Sequence, residues 1–517
     1  MYQAGLDDGK FSTAKWPRLN YTKCINGVAE AIKGDPSHTF KCKNTDLYDF
    51  INHHTLGSPG FNTQYNETGS GSWGWTDPSS GREFVAIGQF DGTSMLEILP
   101  TGRFSQLGFL PTYSKCNNNC LWKELRGFKN YILIGSENPG HGVQIFDMSK
   151  LLTINPASPV RFNNSVDLAG HFADLGNGQT HNVVINEELG YGAVVGARPV
   201  TSPLNCNGGL KFFSLADPSK PTTLGCAGQD GYVHDAQCLV YRGPHTKYAG
   251  RDICYGYNED TLTIYDVTDK SATKIISRTS YEGASYTHQG QVTDPNWQEF
   301  LIHDDEYDEE EKNGPAMDGY AVTYIWDIRN LEAPKQTGLY KAIVKGIDHN
   351  QYIKDNRVYQ SSYSTGLRVY DINSISTDPT GNGVWEVAHF DMYPEDDNLP
   401  GGGVVDFFGT WSSYAMFKSG FILINDMERG AFLVKINKFE TTKPKNACSA
   451  DNCLRSLRAT SVAGRLEESQ KFCSTFTKTF IADVSLVKDY AVAACTGNVI
   501  SRVSSACSCL PTATSTA

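Results

Sequence analysis

Seven times along this chain the same grammar returns, and that periodicity limits the possible folds more than any other feature of the sequence. The copies open at Trp73 (WGWTDP), Trp122 (LWKELRGF), His181 (THNVVIN), His234 (VHDAQCLVY), His288 (THQGQVT), His349 (DHNQYI) and Trp411 (TWSSYAMF). Start-to-start spacings are 49, 59, 53, 54, 61 and 62 residues, the period of a multi-stranded propeller blade with variable loops rather than of a helical solenoid. Each copy continues into an apolar second strand such as EFVAIG, YILIGS or FILIND. Most close on a third strand such as GVQIFDM, TLTIYDV or GLRVYDI. The pattern predicts an all-β, seven-bladed β-propeller over residues 71–438.

The flanks read differently. Residues 1–70 form an N-terminal extension in which GVAEAI and DLYDFINHH read as short helices and GSPGFNTQYNETGSGS as a loop. Residues 439–510 hold six of the 14 cysteines around CLRSLRATSVAGRLEESQKFC, whose apolar spacing is helical, so a small disulfide-stapled, mainly helical module is expected. With no histidine interleaved among these cysteines, disulfides are favoured over a zinc cluster. Residues 511–517 read as a Ser/Thr/Pro linker towards a cell-wall or surface anchor beyond the C-terminus. In the remainder, proximity pairs Cys24 with Cys42, Cys116 with Cys120, Cys206 with Cys226 and Cys238 with Cys254.

Cysteine richness together with sequons at Asn20, Asn66 and Asn163 indicates a secreted or cell-surface glycoprotein. The net charge of −12 argues against nucleic acid as a partner, and no apolar run is long enough for a transmembrane span.

In a propeller the innermost strand of each blade lines the central channel, so one repeat position in successive blades forms a ring about the axis. His181, His234, His288 and His349 hold that position in four consecutive copies, while tryptophan stands near it in the others. A lone histidine at a strand start is usually a hydrogen-bonded core residue; four in register point to a metal centre built from neutral imidazoles. Asn182, Asp235, Gln289 and Asn350 follow the histidines and could orient their rings. Such a donor set suits one divalent transition metal, Fe, Cu, Mn, Ni or Zn. A histidine and amide network plugging the channel without metal is the alternative.

The run HDDEYDEEE (303–311) ends the second strand of the fifth copy. Asp304, Asp305 and Glu306 could reach the axial mouth as a general base or as calcium ligands, with Asp304 and Asp305 kept as the functional candidates, whereas Asp308 to Glu311 read as a solvated charge run. Glu137, Arg198, Asn258, Asp426, Glu428 and Arg429 end the same strand in other copies and should face the same mouth; Arg198 and Arg429 could bind a substrate carboxylate, with inter-blade salt bridges the plainer alternative. Trp73, Trp75, Trp122 and Trp411 would stack on sugar rings if exposed, and otherwise pack in the core.

The phrases WGWTDPSSGREFVAIGQFDGTSML, GYVHDAQCLVYRGPHTKYAGRDICYGYNEDTLTIYDVTDKS, SYTHQGQVT, DHNQYI and GTWSSYAMFKSGFILINDMERGAFLV resemble the choice-of-anchor B family of LVIVD-type secreted propellers, over roughly residues 40–438. The cysteine-rich tail is similar to tails of secreted filamentous-fungal proteins. The resemblance implies surface tethering and no settled reaction. One departure is LIHDDE in place of an LLDDE phrase, which sets His303 beside Asp304 as a further candidate ligand. The function expected from these features is a secreted metal-dependent enzyme acting on an extracellular carbohydrate-like or phenolic substrate. The alternative is a non-catalytic cell-wall or surface-binding propeller with a structural metal.

Overall fold

A computed structural model describes residues 5, 8–57, 67–440, 443, 452–459, 462–476, 484–495 and 499–510. The apolar second strands are buried along their length, as in Glu83–Gln89 and Phe421–Asp426. A strand covered on both faces needs this composition, because each blade is sandwiched between neighbours. Seven sheets form, with antiparallel pairing throughout their four-stranded cores. Their innermost strands, in blades 1 to 7, are Gly69–Thr76, Lys123–Phe128, Asn182–Asn186, Asp235–Val240, Thr287–Val292, Asp348–Lys354 and Thr410–Tyr414. Each packs on the next and the seventh returns to the first, closing a seven-bladed β-propeller.

Apolar clusters fill the space between blades. Between blades 4 and 5, Tyr255, Leu262, Ile264, Leu301, Val322 and Trp326 are all fully buried. Burial of side chains of this kind contributes about 1.5–3 kcal/mol each.

The N-terminal segments expected as helices are strands. Val28–Glu30 and Thr39–Lys43 extend blade 6 to six strands, and the Cys24–Cys42 disulfide staples them. Thr45–Asn52 pairs antiparallel with Gly430–Ile436 from the other end of the propeller sequence and becomes the outer strand of blade 7. All but one of its eight residues are buried. A helix would bury only one stripe of the segment, so two-sided burial overrides its local helical reading. At this seam a Cβ on Gly430 would meet the Ile51 carbonyl oxygen, so the close approach requires glycine.

Blade 1 starts earlier than the first sequence copy. Its innermost strand begins at Gly69, which places Trp73 mid-strand, edge-on to Tyr352 at 5.4 Å and Tyr414 at 5.3 Å. Trp75 stacks on Phe84.

Cys116–Cys120, Cys206–Cys226 and Cys238–Cys254 are disulfides, matching the pairings suggested by proximity. A second compact unit comprises Thr380–Gly383 with Glu440–Ala517. Its helices Asn452–Arg458, Arg465–Phe476, Asp489–Ala494 and Val499–Ser508 bury Leu454, Leu457 and Val503 around the Cys453–Cys495 and Cys473–Cys507 disulfides. Cys509 is also disulfide-bonded. Cys448, Asn66 and the linker at 511–517 lie outside the described residues, while Asn20 and Asn163 are exposed. Among the described residues no helix is long and apolar enough to cross a membrane.

Candidate metal centre on the propeller axis

The innermost strands change register where the histidines stand. In blade 5 Thr287 pairs with Asp305 and Gln289 with Asp304, leaving His288 as the extra residue. Blade 6 shifts between Asp348 and Gln351, around His349, and blade 7 between Thr410 and Ser412, around Trp411. A bulge turns one side chain out of the alternation and aims it elsewhere, here along the axial end of the strand. In blades 3 and 4 the histidine immediately precedes the strand, its N–H donating to Val195 O (His181, 3.0 Å) or Tyr257 O (His234, 2.8 Å).

The four imidazoles form a continuous row across four blades. Ring centroids are 4.3 Å apart for His181 and His234, 4.1 Å for His234 and His288, and 4.7 Å for His288 and His349. Every Nδ1 faces an acceptor: Glu137 Oε1 at 2.6 Å (His181), His288 O at 2.8 Å (His234), Asp304 Oδ1 at 3.2 Å (His288) and Trp411 O at 2.6 Å (His349). Carbonyl and carboxylate oxygens only accept, so each Nδ1 carries its hydrogen and, in a neutral ring, each Nε2 keeps its lone pair. Among the described residues no Nε2 of the row has a hydrogen-bond partner. This is how ligating histidines are usually oriented, although the orienting groups are mostly not the side chains next in sequence.

Glu306 reaches the row from the end of the second strand of blade 5. One carboxylate oxygen is 3.9 Å from His288 Nε2 and the other 3.7 Å from His349 Nε2. The Tyr363 hydroxyl donates to Glu306 Oε1 at 2.5 Å. Donor atoms of His288, Glu306 and His349 lie within 4.8 Å of one another and could together hold an ion, with His234 and His181 continuing the row.

Electrostatics divides the histidines. Burial holds His234 and His288 well below the ordinary imidazole range and His349 down to about 3. Burial acts on His181 too, but the hydrogen bond and charge of Glu137 outweigh it and raise its pKa. Burial also pushes Glu306 up to about 7, against the Tyr363 hydrogen bond. The site therefore offers neutral donors at three positions and a proton-holding pair, His181 and Glu137, at its edge.

The other candidate residues separate clearly. Asp304 is fully buried and accepts from Gln289 N (2.9 Å) as well as facing His288 Nδ1, so it orients a ring. Asp305 turns away from the axis and accepts from the Tyr281 hydroxyl and the N–H groups of Ser285, Tyr286, Tyr307 and Asp308. These bonds tie the Tyr281–Tyr286 and Tyr307–Asp308 segments to the strand end. His303 is not at the axis: strand alternation sends it into the core, where its Nδ1 accepts from Trp326 Nε1 at 2.7 Å and its ring stacks on Tyr324. Asp308 and Glu309, read as solvated, are buried, bound to the Tyr324 hydroxyl and Val322 N respectively.

Arg429 is also displaced from the expected role. Its side chain is 3 % exposed, makes 2.5 Å bonds to both oxygens of Glu395 and lies over the Trp16 ring. Arg198 differs: its side chain is 47 % exposed, with Nε 3.8 Å from the Glu137 carboxylate that holds His181.

Trp122 and Trp411, at the histidine position in blades 2 and 7, join Phe90, Tyr363, Phe407 and Met427 in an apolar cluster beside the row. Trp411 Nε1 donates to Glu124 Oε1 at 2.5 Å. Along the channel Arg126 meets Asp235 at 3.2 Å and Glu124 at 3.7 Å, under the rings of Trp73 and Tyr352.

Glu137, Glu306 and Tyr363 share a repeat position, the first residue after the second strand of the blade; the sequence already points Glu137 and Glu306 at the axial mouth from this position, and Tyr363 is the one it does not single out. Extending that strand-end alignment to the sixth copy would have brought Tyr363 out as well.

No known family profile matches the chain, and no curated protein matches it either. Similar solved structures include the computationally designed Ika8 protein, with 11% identity over 82% of this chain and 98% of the other at a TM-score of 0.40. The β-propeller domain of Cps50 (Swd1) from Myceliophteria thermophila shares 12% identity over 71% of this chain and 95% of its own, at a TM-score of 0.39. The extracellular domain of a putative hybrid two-component system from B. thetaiotaomicron shares 13% over 71% of this chain and 38% of its own, also at 0.39.

Proposed function

We propose that the axial end of the propeller is a metal centre, with His288, His349 and Glu306 as its core and His234 and His181 completing the row, and that the protein is a secreted metal-dependent enzyme. The observation carrying this reading is the common orientation of the four rings, each Nδ1 held by an acceptor while Nε2 is left without a protein partner. Two neutral imidazoles and one carboxylate are a donor set for Fe(II), Mn or Zn, with Cu also served by the imidazole row. Bound there, the ion would supply Lewis acidity or oxygen activation.

The chain's own residues supply the rest. Asp304 and the Trp411 carbonyl fix the ligand rings, Tyr363 positions Glu306, and His181 with Glu137 holds a proton at the edge of the site. Arg198, exposed beside that pair, is placed to orient an anionic group of an extracellular carbohydrate-like or phenolic substrate. Calcium has less support than at the sequence level, since Asp305 is saturated by five protein donors.

A second reading is a non-catalytic cell-wall or surface-binding propeller whose metal is structural. Its support is that His288 and Glu306 come from blade 5 and His349 from blade 6, so one ion held by them would tie two blades together. The choice-of-anchor B likeness and the six disulfides among the described residues fit secretion and tethering under either reading.

Elemental analysis of protein purified without added metal tests the centre. A stoichiometric transition metal lost in His288→Ala and His349→Ala is the expected result; absence of any ion after reconstitution would defeat it. Loss of melting temperature without loss of a turnover assay would favour the structural reading.

A further inference from the structure

An aromatic rim leads from Arg198 round to Glu306. The Arg198 guanidinium lies 5.7 Å from the centre of the Tyr232 ring, and the Tyr232 hydroxyl meets that of Tyr286 at 3.1 Å. Tyr286 stacks on Tyr307 with centroids 4.7 Å apart and stands edge-on to His234 at 5.3 Å. Tyr307 meets Phe407, and Phe407 meets Tyr363, each at 5.5 Å. Tyr363 ends the rim on Glu306. Tyr307 is 36 % exposed and Tyr232 and Tyr286 are half-buried, so ring surface is open to a ligand.

The polar groups of this mouth are mostly spent on the protein. Asp305 accepts from five donors. The Asn258 amide donates to Asp230 and its oxygen accepts from Thr261. Gln179 donates to the Glu137 carbonyl and accepts from Asn177. A sugar, whose recognition requires many hydroxyl partners, finds few here. Arg198 is the cation left over: beyond its 3.8 Å ion pair through Nε, its terminal nitrogens have no hydrogen-bond partner among the described residues, with the Glu259 carboxylate also near enough to act on its charge. That fork matches a carboxylate in geometry and charge. Beside it lies a depression of about 650 Å³ lined by Gln179, Arg198, Pro199 and Val200, large enough for one small ring compound.

We propose that the mouth binds an aryl carboxylate, its acid group forked by Arg198 and its ring laid on the Tyr232, Tyr286 and Tyr307 rim. This deepens the reading above, on which it rests for the ligand's place beside the ion but not for binding itself.

Calorimetric titration of the full chain with 4-hydroxybenzoate, its methyl ester and galacturonate tests the assignment. The acid binds at least about tenfold more tightly than the ester or the uronate, as a charge-assisted fork on an exposed arginine implies. Arg198→Gln abolishes that difference while ester affinity, metal content and melting temperature stay unchanged, and Tyr307→Ala weakens acid and ester together. Equal binding of acid and ester, tighter binding of galacturonate, no binding of the acid at millimolar concentration, or indifference to Arg198→Gln would overturn the proposal. The same titrations on chelator-stripped protein keep the two readings apart. An acid preference dependent on Arg198 in a chain that never holds an ion sinks the metal centre alone; a bound ion without that preference sinks the aryl-carboxylate site alone.

Discussion

The Tyr363 hydroxyl donates to Glu306 at 2.5 Å, and the same carboxylate lies within 4 Å of Nε2 on both His288 and His349. The tyrosine comes from blade 6 and the glutamate from blade 5, so the bond fixes a prospective ligand across a blade boundary. Replacing Glu306 by Gln removes the anionic donor. Ion affinity, read by competition with a chromogenic chelator, is expected to fall by more than in Tyr363→Phe, which retains the donor and loses its positioning at a cost of about 10–100-fold. Equal ion affinity in wild type and Glu306→Gln would remove Glu306 from the centre.

His303 serves as a control drawn from the same strand. Phe at this position keeps the aromatic packing around Tyr324 but deprives the buried Trp326 Nε1 of its acceptor. Denaturant unfolding is expected to show a loss of about 1–3 kcal/mol, with metal content unchanged. Metal loss in this variant would contradict the placement of His303 in the core.

The seam of the ring depends on Leu47, which is fully buried in the strand that completes blade 7. Leu47→Ala is expected to cost about 2–5 kcal/mol in equilibrium unfolding, the range for truncating a packed core leucine. A segment merely leading into the propeller would show almost no effect.

Glu386 gives a pH dependence of definite sign. It bonds Arg368 at 2.6 Å and His389 at 2.7 Å; burial alone would raise its pKa, but the Arg368 charge and these two hydrogen-bond partners hold it down to about 2. A depressed carboxylate contributes stability that is fully present above its unfolded pKa and is lost as pH falls through the folded one. The stability gap between wild type and Glu386→Gln is therefore widest above pH about 5 and narrows by about 3 kcal/mol towards pH about 2. A gap independent of pH in urea titrations would show that Glu386 is not ionised by its partners.

Chelation offers a test of what the histidine row does for the fold. An ion that binds only the folded chain raises the apparent melting temperature by mass action. Removing it with a chelator should lower the melting temperature of wild type and leave His288→Ala unaffected.

The chain's order of residues determined the number of blades, the shared position of the four histidines and four of the disulfides, because each is written as a local repeat or a short separation. Tertiary structure decided the rest. Thr45–Asn52 became a strand because Gly430–Ile436, nearly four hundred residues later, offered it two-sided burial that no local propensity encodes. Glu306, Tyr363 and Glu137 came to the histidines through strand ends that only blade packing brings together. His303 and Arg429, plausible by spacing, were sent elsewhere by side-chain alternation and by Glu395. A period in sequence specifies which backbone positions recur, while the direction of each side chain depends on bulges and neighbours that exist only once the ring has closed.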